Sequence, residues 1–442
     1  MTYWLHKRIY NRWRLSDALW LFCVLCFLLP SCQREEPVPV DEMMSPATGT
    51  RMEFTLDSIF LYAKQVYLWG DVLPTYTEFN PRTRYGSVKP ELSAYKTELY
   101  DISQLNINLQ TGNPYESPVY AGSPKYSYLE QGSVSIPTME KATLSDTSSD
   151  VIPVYKLIKN DNKKIAYISL TSFPELIAIK EQLDAIFHSF AKAEVTDIIV
   201  DLRSNGGGYV GTAEYVANLI ASSGLTGKVM YTEAFNSLMQ EGKATLLKNQ
   251  LYRDANGNTI NYRGRLATMA DVNFSKKANT VLFEKKGILE TVKQIYFIVS
   301  GHTASASELL ISCMKPYFDV KLVGERTYGK PVGFFGIHID TYTLYLSSFI
   351  LQNAAGWYDY FEGMQPDRQT VLSTQATLGD LQEMGLHTAL NLINDTDATG
   401  GRPNQQASIP SRKSIKKQNI PLTGGSSASG YFPIYKQHFK LK

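Results

Sequence analysis

An α/β fold is what this sequence predicts, and two observations carry the prediction. Between residues 165 and 221, short apolar runs alternate with amphipathic stretches. Ile165 to Leu170 reads as strand, Glu175 to Lys192 as helix, Asp197 to Leu202 as buried strand and Thr212 to Ala221 as helix. The alternation resumes farther on: Ile295 to Ser300 reads as strand, Ser305 to Met314 as a short helix, Lys321 to Val323 as strand and Tyr342 to Leu351 as a longer strand. Phe235 to Gly287 between them is polar and aperiodic, as expected of a surface excursion that shapes a cleft.

At 442 residues, 43% of them hydrophobic, the chain can bury a large core and has the length of more than one domain. Phe54, Ile59, Ala63, Val66 and Leu68 to Trp69 recur at helical spacing until Gly70 and Pro74 interrupt them, which predicts a small helical domain over 51–105. Residues 106–155 are dense in Tyr, Ser, Pro and Gly and read as a minor β-rich and loop segment. A catalytic-size α/β domain follows over 156–398. The Gly-, Ser- and Gln-rich stretch over 399–442 reads as a poorly ordered tail.

The 44 basic and 42 acidic residues leave a formal charge of +2. Lys7, Arg8, Arg12 and Arg14 against Asp17 give the first 31 residues +3, so the remainder carries −1. A nearly neutral chain offers no broad electrostatic footprint for a nucleic-acid backbone, and nucleic acid is not expected as a partner.

The basic start, the apolar run Leu15 to Leu29 and the sequence Leu29-Pro30-Ser31-Cys32 form an export signal whose apolar core is too short for a comfortable membrane span. Its end resembles a bacterial lipobox, which implies cleavage after residue 31 and lipidation at Cys32. A signal anchor with an incidental cysteine is the alternative. Residues 32–50, rich in proline and acid, then serve as a tether, and Gln33-Arg34-Glu35-Glu36 resembles the acidic export tag of Bacteroides-group surface lipoproteins. This places the protein in a bacterial cell envelope, anchored to the outer membrane. Cys23 and Cys26 leave with the signal and Cys32 is acylated, so Cys313 has no partner for a disulfide.

Two phosphate-binding motifs nearly match. Gly206-Gly207-Gly208-Tyr209-Val210-Gly211 satisfies G-x-G-x-x-G, but Arg203, Ser204 and Asn205 separate it from its strand and displace the helix start that would hold a pyrophosphate. Gly324 to Lys330 approaches a P-loop. Pro331, however, stands where a hydroxyl should hold magnesium, and it has no N–H to give a phosphate. No His, Cys or Glu cluster has zinc spacing, so neither a cofactor nor a metal is implied.

Taken together, three blocks point elsewhere: Asp201-Leu202-Arg203-Ser204-Asn205-Gly206-Gly207-Gly208, Thr303-Ala304-Ser305-Ala306-Ser307-Glu308 and Tyr328-Gly329-Lys330. In order and spacing they resemble the carboxyl-terminal processing (tail-specific) serine peptidases, whose nucleophile and lysine lie 25 residues apart, as Ser305 and Lys330 do. Tyr167 to Phe173 is similar to the strand opening that family's catalytic domain. The resemblance implies a crotonase/ClpP-like catalytic domain cleaving polypeptides through an acyl-enzyme, with Ser305 as nucleophile and Lys330 as base. It also implies an oxyanion site from the N–H of Ala306 and of Gly207 or Gly208, and a supporting role for Glu308.

The chemistry is self-consistent. A serine hydroxyl needs a neighbour to take its proton, and a lysine can do so once burial strips hydration from its ammonium and lowers its pKa. Tyr328, Phe334 and Phe335 are expected to supply the apolar pocket. A serine opening a helix has free N–H groups and the helix dipole beside it, suited to developing negative charge. Asp201 and Arg203 read as a structural ion pair at the strand end. His302, three residues before the serine, need not reach the hydroxyl.

The chain departs from the resembled pattern at three points. Phe334 stands where many relatives have a glutamine, and Pro316 where some have an aspartate. No glycine-rich carboxylate-binding loop of a PDZ module is visible between Asn106 and Asp150. A catalytically inactive relative that binds a peptide or an apolar ligand in the same cleft is the alternative reading.

Overall fold

The computed structural model describes residues 45–132, 151–160, 163–254, 257–373, 377–398 and 439–442. The export signal, Cys32 and most of the tether lie outside the described residues, as does 399–438 of the tail. Residues 45–442 cluster as one compact unit.

Helix α1 (Arg51–Val66) begins at a reciprocal cap. Thr50 Oγ1 accepts the Glu53 N–H while Glu53 accepts the Thr50 N–H. It ends three residues short of the predicted Trp69 because Tyr67 turns extended (φ −61°, ψ 136°) and leads the chain to Ser347, whose carbonyl accepts the Leu68 N–H. Two short helices, Tyr76–Phe79 and Pro81–Tyr85, and α2 (Glu91–Ser103) pack on α1. Phe60 stacks on Phe79 with ring centroids 4.4 Å apart, and the buried Asp57 is held by Arg82 and Tyr76.

The strands are β1 (Tyr128–Gln131), β2 (Tyr155–Asn160), β3 (Lys163–Ser169), β4 (Asp197–Asp201), β5 (Val229–Phe235), the hairpin β6 (Asn261–Tyr262) and β7 (Arg265–Leu266), β8 (Thr280–Leu282), β9 (Gln294–Val299), β10 (Asp319–Gly324), β11 (Val332–Gly333), β12 (Gly336–Ile339), β13 (Tyr342–Tyr345), β14 (Phe349–Asn353) and β15 (Arg368–Gln369). The central sheet has the order β15-β10-β9-β4-β3-β2. All neighbours are parallel except β2, which returns antiparallel on β3. This mixed sheet, with helices α3 (Leu176–Lys192), α4 (Val210–Ile220), α5 (Ala306–Met314) and α6 (Met384–Ala398), is the predicted α/β architecture.

Both faces of the sheet are buried, which is why its strands are apolar without alternation. Ala166, Ile168, Ile198, Val200, Phe297 and Val299 face the main core, with Leu183, Phe187 and Leu309 from the helices. Ile165, Tyr167, Ile199, Tyr296, Ile298 and Val323 point the other way, where Leu386, Ala389 and Ile393 of α6 cover them.

Two further sheets, β11-β14-β5-β8 and β1-β13-β12, complete the fold. The predicted long strand Tyr342 to Leu351 is in fact two strands in different sheets, β13 and β14. The chain changes sheet at Leu346 to Ser348, where Ser347 bonds the buried Glu116 and Ser348 bonds Leu346 O. The polar excursion after Phe235 returns to the fold as β8, paired on β5.

Candidate active site

The three sequence blocks follow the carboxyl ends of three adjacent parallel strands, β4, β9 and β10, the edge of an α/β sheet where sites characteristically form. Backbone and hydroxyl bonds stitch these loops together. Thr303 Oγ1 donates to Leu202 O at 2.8 Å, Ser300 Oγ to Arg203 O at 2.6 Å and Ser307 Oγ to Asn205 O at 3.0 Å. Tyr328 N–H meets Thr303 O at 3.0 Å. Residues more than a hundred positions apart in sequence are thereby held in one corner.

Ser305 sits immediately before α5 with φ 62° and ψ −119°, a left-handed conformation that costs an L-residue about 1–3 kcal/mol and clusters at functional positions. Its side chain is fully buried and stands in a capping box with Glu308, facing the Glu308 N–H, yet among the described residues its hydroxyl makes no hydrogen bond of normal geometry. Ala306, as the first residue of α5, has an N–H with no intrahelical acceptor.

The glycine loop closes over this point. A Cβ on Gly207 would come within 2.8 Å of Ser305 Cβ and 3.1 Å of Ala306 N, so only glycine allows the approach. Gly207 gives its own N–H to Asn205 Oδ1 at 2.9 Å. Gly208, whose Cβ would strike Phe173 O at 2.1 Å, sits in a bridge to Phe173 that uses the N–H groups of Phe173 and Tyr209 and not its own. Of the two glycines offered by the sequence, Gly208 therefore has the uncommitted N–H.

Glu308 organises the corner. Fully buried, it accepts Thr327 Oγ1 at 2.5 Å and Gly329 N–H at 2.8 Å on Oε1. On Oε2 it accepts Lys330 N–H at 2.8 Å and Ser305 N–H at 3.1 Å. The backbone nitrogens of the predicted nucleophile and base thus share one carboxylate oxygen. Burial raises the carboxyl's pKa, against the four donors, which lower it.

Lys330 is 5% exposed, and its amine lies 5.1 Å from the centroid of the Phe334 ring. Burial brings its pKa down to about 8, with the charges of Glu116 and Glu308 pulling the other way. Phe334, at the position where the resembled pattern has a glutamine, thus forms part of the pocket wall. The other two predicted aromatics turn elsewhere: the Tyr328 ring lies 5.0 Å from the Lys125 amine, and Phe335 packs against Phe274. The Lys330 amine makes no hydrogen bond to the Ser305 hydroxyl.

Asp201 and Arg203 form the expected ion pair, with Arg203 Nη2 to Asp201 Oδ2 at 2.7 Å. The pair is half of a larger arrangement. Glu383 takes Arg203 in a two-pronged contact at 2.6 and 2.8 Å and accepts the N–H groups of Gly385 and Leu386, tying the start of α6 to the end of β4. Burial raises the Glu383 pKa, but Arg203 and those N–H groups outweigh it and hold the carboxyl at about 2. Asp201 also accepts the Tyr167 hydroxyl at 2.9 Å. These residues brace the glycine loop from behind. His302 is exposed, whereas Ser305 is buried.

Sequence reasoning missed the wall contributed by residues 106–132. Glu116 is fully buried and accepts from Tyr67, Ser127, Ser347 and the backbone of Tyr126 and Ser127. Tyr126 Oη donates to Gly329 O at 2.6 Å and seals the Gly-Lys-Pro turn. A single glutamate in a loop of Tyr, Ser and Pro carried no signal that it faces the lysine pocket.

Replacing Glu308 by Ala is expected to strand three N–H groups and a threonine hydroxyl in a dry interior, at about 1–3 kcal/mol each. The melting temperature should fall by more than ten degrees, read by thermal denaturation. A fall of one or two degrees would show that water replaces the carboxylate.

With this geometry in hand, comparison with known proteins gives one family. The Peptidase family S41 profile matches residues 164–367. The carboxy-terminal processing protease CtpA of Bacillus subtilis (strain 168) is 30% identical over 184 residues, 41% of this chain and 29% of that protein, so the chain matches less than a third of that curated relative's length. Among solved structures, the photosystem II D1 C-terminal processing protease superposes with a TM-score of 0.45 at 14% identity, covering 74% of this chain and 95% of that one. A candidate S41 protease of Bacteroides fragilis NCTC 9343 gives 0.42 at 20% identity over 56% of this chain and 58% of that one. A lipoprotein of Streptococcus agalactiae gives 0.43 at 15%, covering 80% and 99%.

Proposed function

We propose that this protein is a serine endopeptidase acting on polypeptides, with Ser305 as nucleophile and Lys330 as general base. The observation that carries the reading is a lysine whose amine is buried against Phe334 and whose backbone N–H shares one Glu308 oxygen with the N–H of a strained serine at a helix start. Uncharged Lys330 takes the Ser305 proton as Oγ bonds to the substrate carbonyl carbon. The N–H groups of Ala306 and Gly208 receive the oxyanion. Lys330 then gives its proton to the leaving amine as the C–N bond breaks, leaving an acyl ester on Ser305. Water, deprotonated by the same amine, cleaves that ester and restores the hydroxyl. Since Ser305 Oγ and the Lys330 amine are not bonded to each other here, substrate entry draws them into line.

The S41 region supports a peptidase that takes polypeptide substrates. Cys32 as a lipidation site would hold the enzyme at the cell envelope membrane, and replacing it by Ala should release the protein from the membrane fraction. The function is tested by reacting the soluble chain from residue 51 with a fluorophosphonate and mapping the adduct by peptide mass spectrometry. Modification confined to Ser305 is expected, reduced by more than about tenfold in Lys330→Ala. No adduct, or one on another serine, overturns the assignment and leaves a peptide-binding relative without activity.

A further inference from the structure

Residues 439–442 are packed on the excursion between β5 and β9 rather than lying free. Leu441 forms an antiparallel bridge with Val272. Asn273 N–H meets Lys440 O at 2.8 Å, and Lys442 N–H meets Asp271 O at 2.9 Å. Side chains alternate as in a strand. Phe439 turns inward, its ring centroid 5.8 Å from Phe274 and 5.6 Å from Phe335, while Lys440 is exposed. Polar contacts fix the register: Tyr252 Oη donates to Phe439 O at 3.1 Å, Lys442 Nζ donates to Ala270 O at 2.9 Å, and Tyr262 Oη donates to Lys442 O.

Contacts within the excursion itself hold the receiving edge. Asp271 is clamped by Arg265 at 2.7 and 2.8 Å and accepts the Thr268 N–H, which holds the 268–272 turn with its main-chain groups outward. Val272 and Phe274 are buried beneath the docked segment. An edge whose main-chain groups pair with an extended segment, beside an aromatic slot and an apolar contact two residues on, is the arrangement that binds a peptide by strand addition.

We propose that this edge is a peptide-docking site, separate from the Ser305 and Lys330 corner, that the chain's own residues 439–442 occupy. The ligand class is an extended segment with an aromatic residue followed, two positions later, by an aliphatic one. Four residues and a few main-chain bonds make a hold weak enough to exchange. Phe335 lies five residues from Lys330, so the docked segment also packs against the link between β11 and β12 that leaves the lysine pocket.

The test uses a fluorescein-labelled peptide spanning residues 435–442 and fluorescence anisotropy. The chain lacking residues 439–442 is expected to bind the peptide saturably, and the full chain about tenfold more weakly because its own segment competes. A peptide carrying Phe439→Ala should lose about tenfold in affinity. Leu441→Asp in the full chain opens the edge without shortening the protein, and its affinity should match that of the shortened chain. Equal binding by full chain, shortened chain and Leu441→Asp, or none by any of them, overturns the proposal. Neither outcome depends on whether the protein cleaves peptides.

Discussion

Ser305→Ala is expected to lower cleavage of an unfolded protein substrate by about 10³-fold or more while leaving the fold intact. The two halves of this expectation have one source. The hydroxyl is buried and, among the described residues, makes no hydrogen bond of normal geometry, a condition that costs about 1–3 kcal/mol. Removing the oxygen removes that cost, so the variant should melt at or above the parent's temperature. Ser305→Gly should go further, since φ 62° is unstrained for glycine and its replacement relieves about 1–3 kcal/mol of backbone strain. Cleavage assayed beside thermal denaturation checks both. An alanine variant that keeps more than about a tenth of parental cleavage sinks the nucleophile, and one that melts well below the parent would mean the hydroxyl supports the fold.

The candidate corner was legible in the sequence because its residues sit in short blocks that end strands. Strands β3, β4, β9 and β10 have apolar runs too short for helices, and helix α3 carries an unbroken 3.6-residue stripe, so local pattern sufficed for each. The Ser305 and Lys330 spacing is local too, since one helix and one strand separate them. What stayed hidden depends on pairing across the chain. Glu116 faces the pocket only because residues 116, 127 and 347 meet, and Glu383 reaches Arg203 across 180 positions. The aromatics near Lys330 were legible as a group but not by direction. Neighbouring side chains on an extended backbone point to opposite faces, so Phe334 faces the lysine while Phe335 faces Phe274. The split between β13 and β14 was invisible for a related reason. Leu346 and the two serines read as strand until the Glu116 bond and the change of sheet are seen.

Lys330→Met is expected to abolish cleavage and stabilise the protein in the same substitution. In the unfolded chain the amine titrates near 10.5, whereas in the folded protein burial holds it at about 8. The unfolded state therefore binds more protons between these values, and stability rises with pH across that window. Below about pH 8 the full penalty is present, at most about 3 kcal/mol from the size of the shift. Methionine fills much the same volume with no charge to desolvate, so the variant should melt several degrees above the parent at pH 7. The advantage should shrink as the buffer rises toward pH 10.5, and above that pH the parent's lysine is neutral in both states. The loss of a cation near Glu116 and Glu308 offsets part of the gain, because both carboxylates favour the charged amine. The same titration governs activity in the parent. Only the neutral amine accepts the Ser305 proton, so kcat/KM should climb with pH to a midpoint near 8 and level off above it. Thermal melts of both proteins at pH 7 and 10, with a pH profile of the parent, decide the matter. If the variant is less stable at neutral pH, or parental activity is flat between about pH 6.5 and 9, the amine is not the poised base that burial implies.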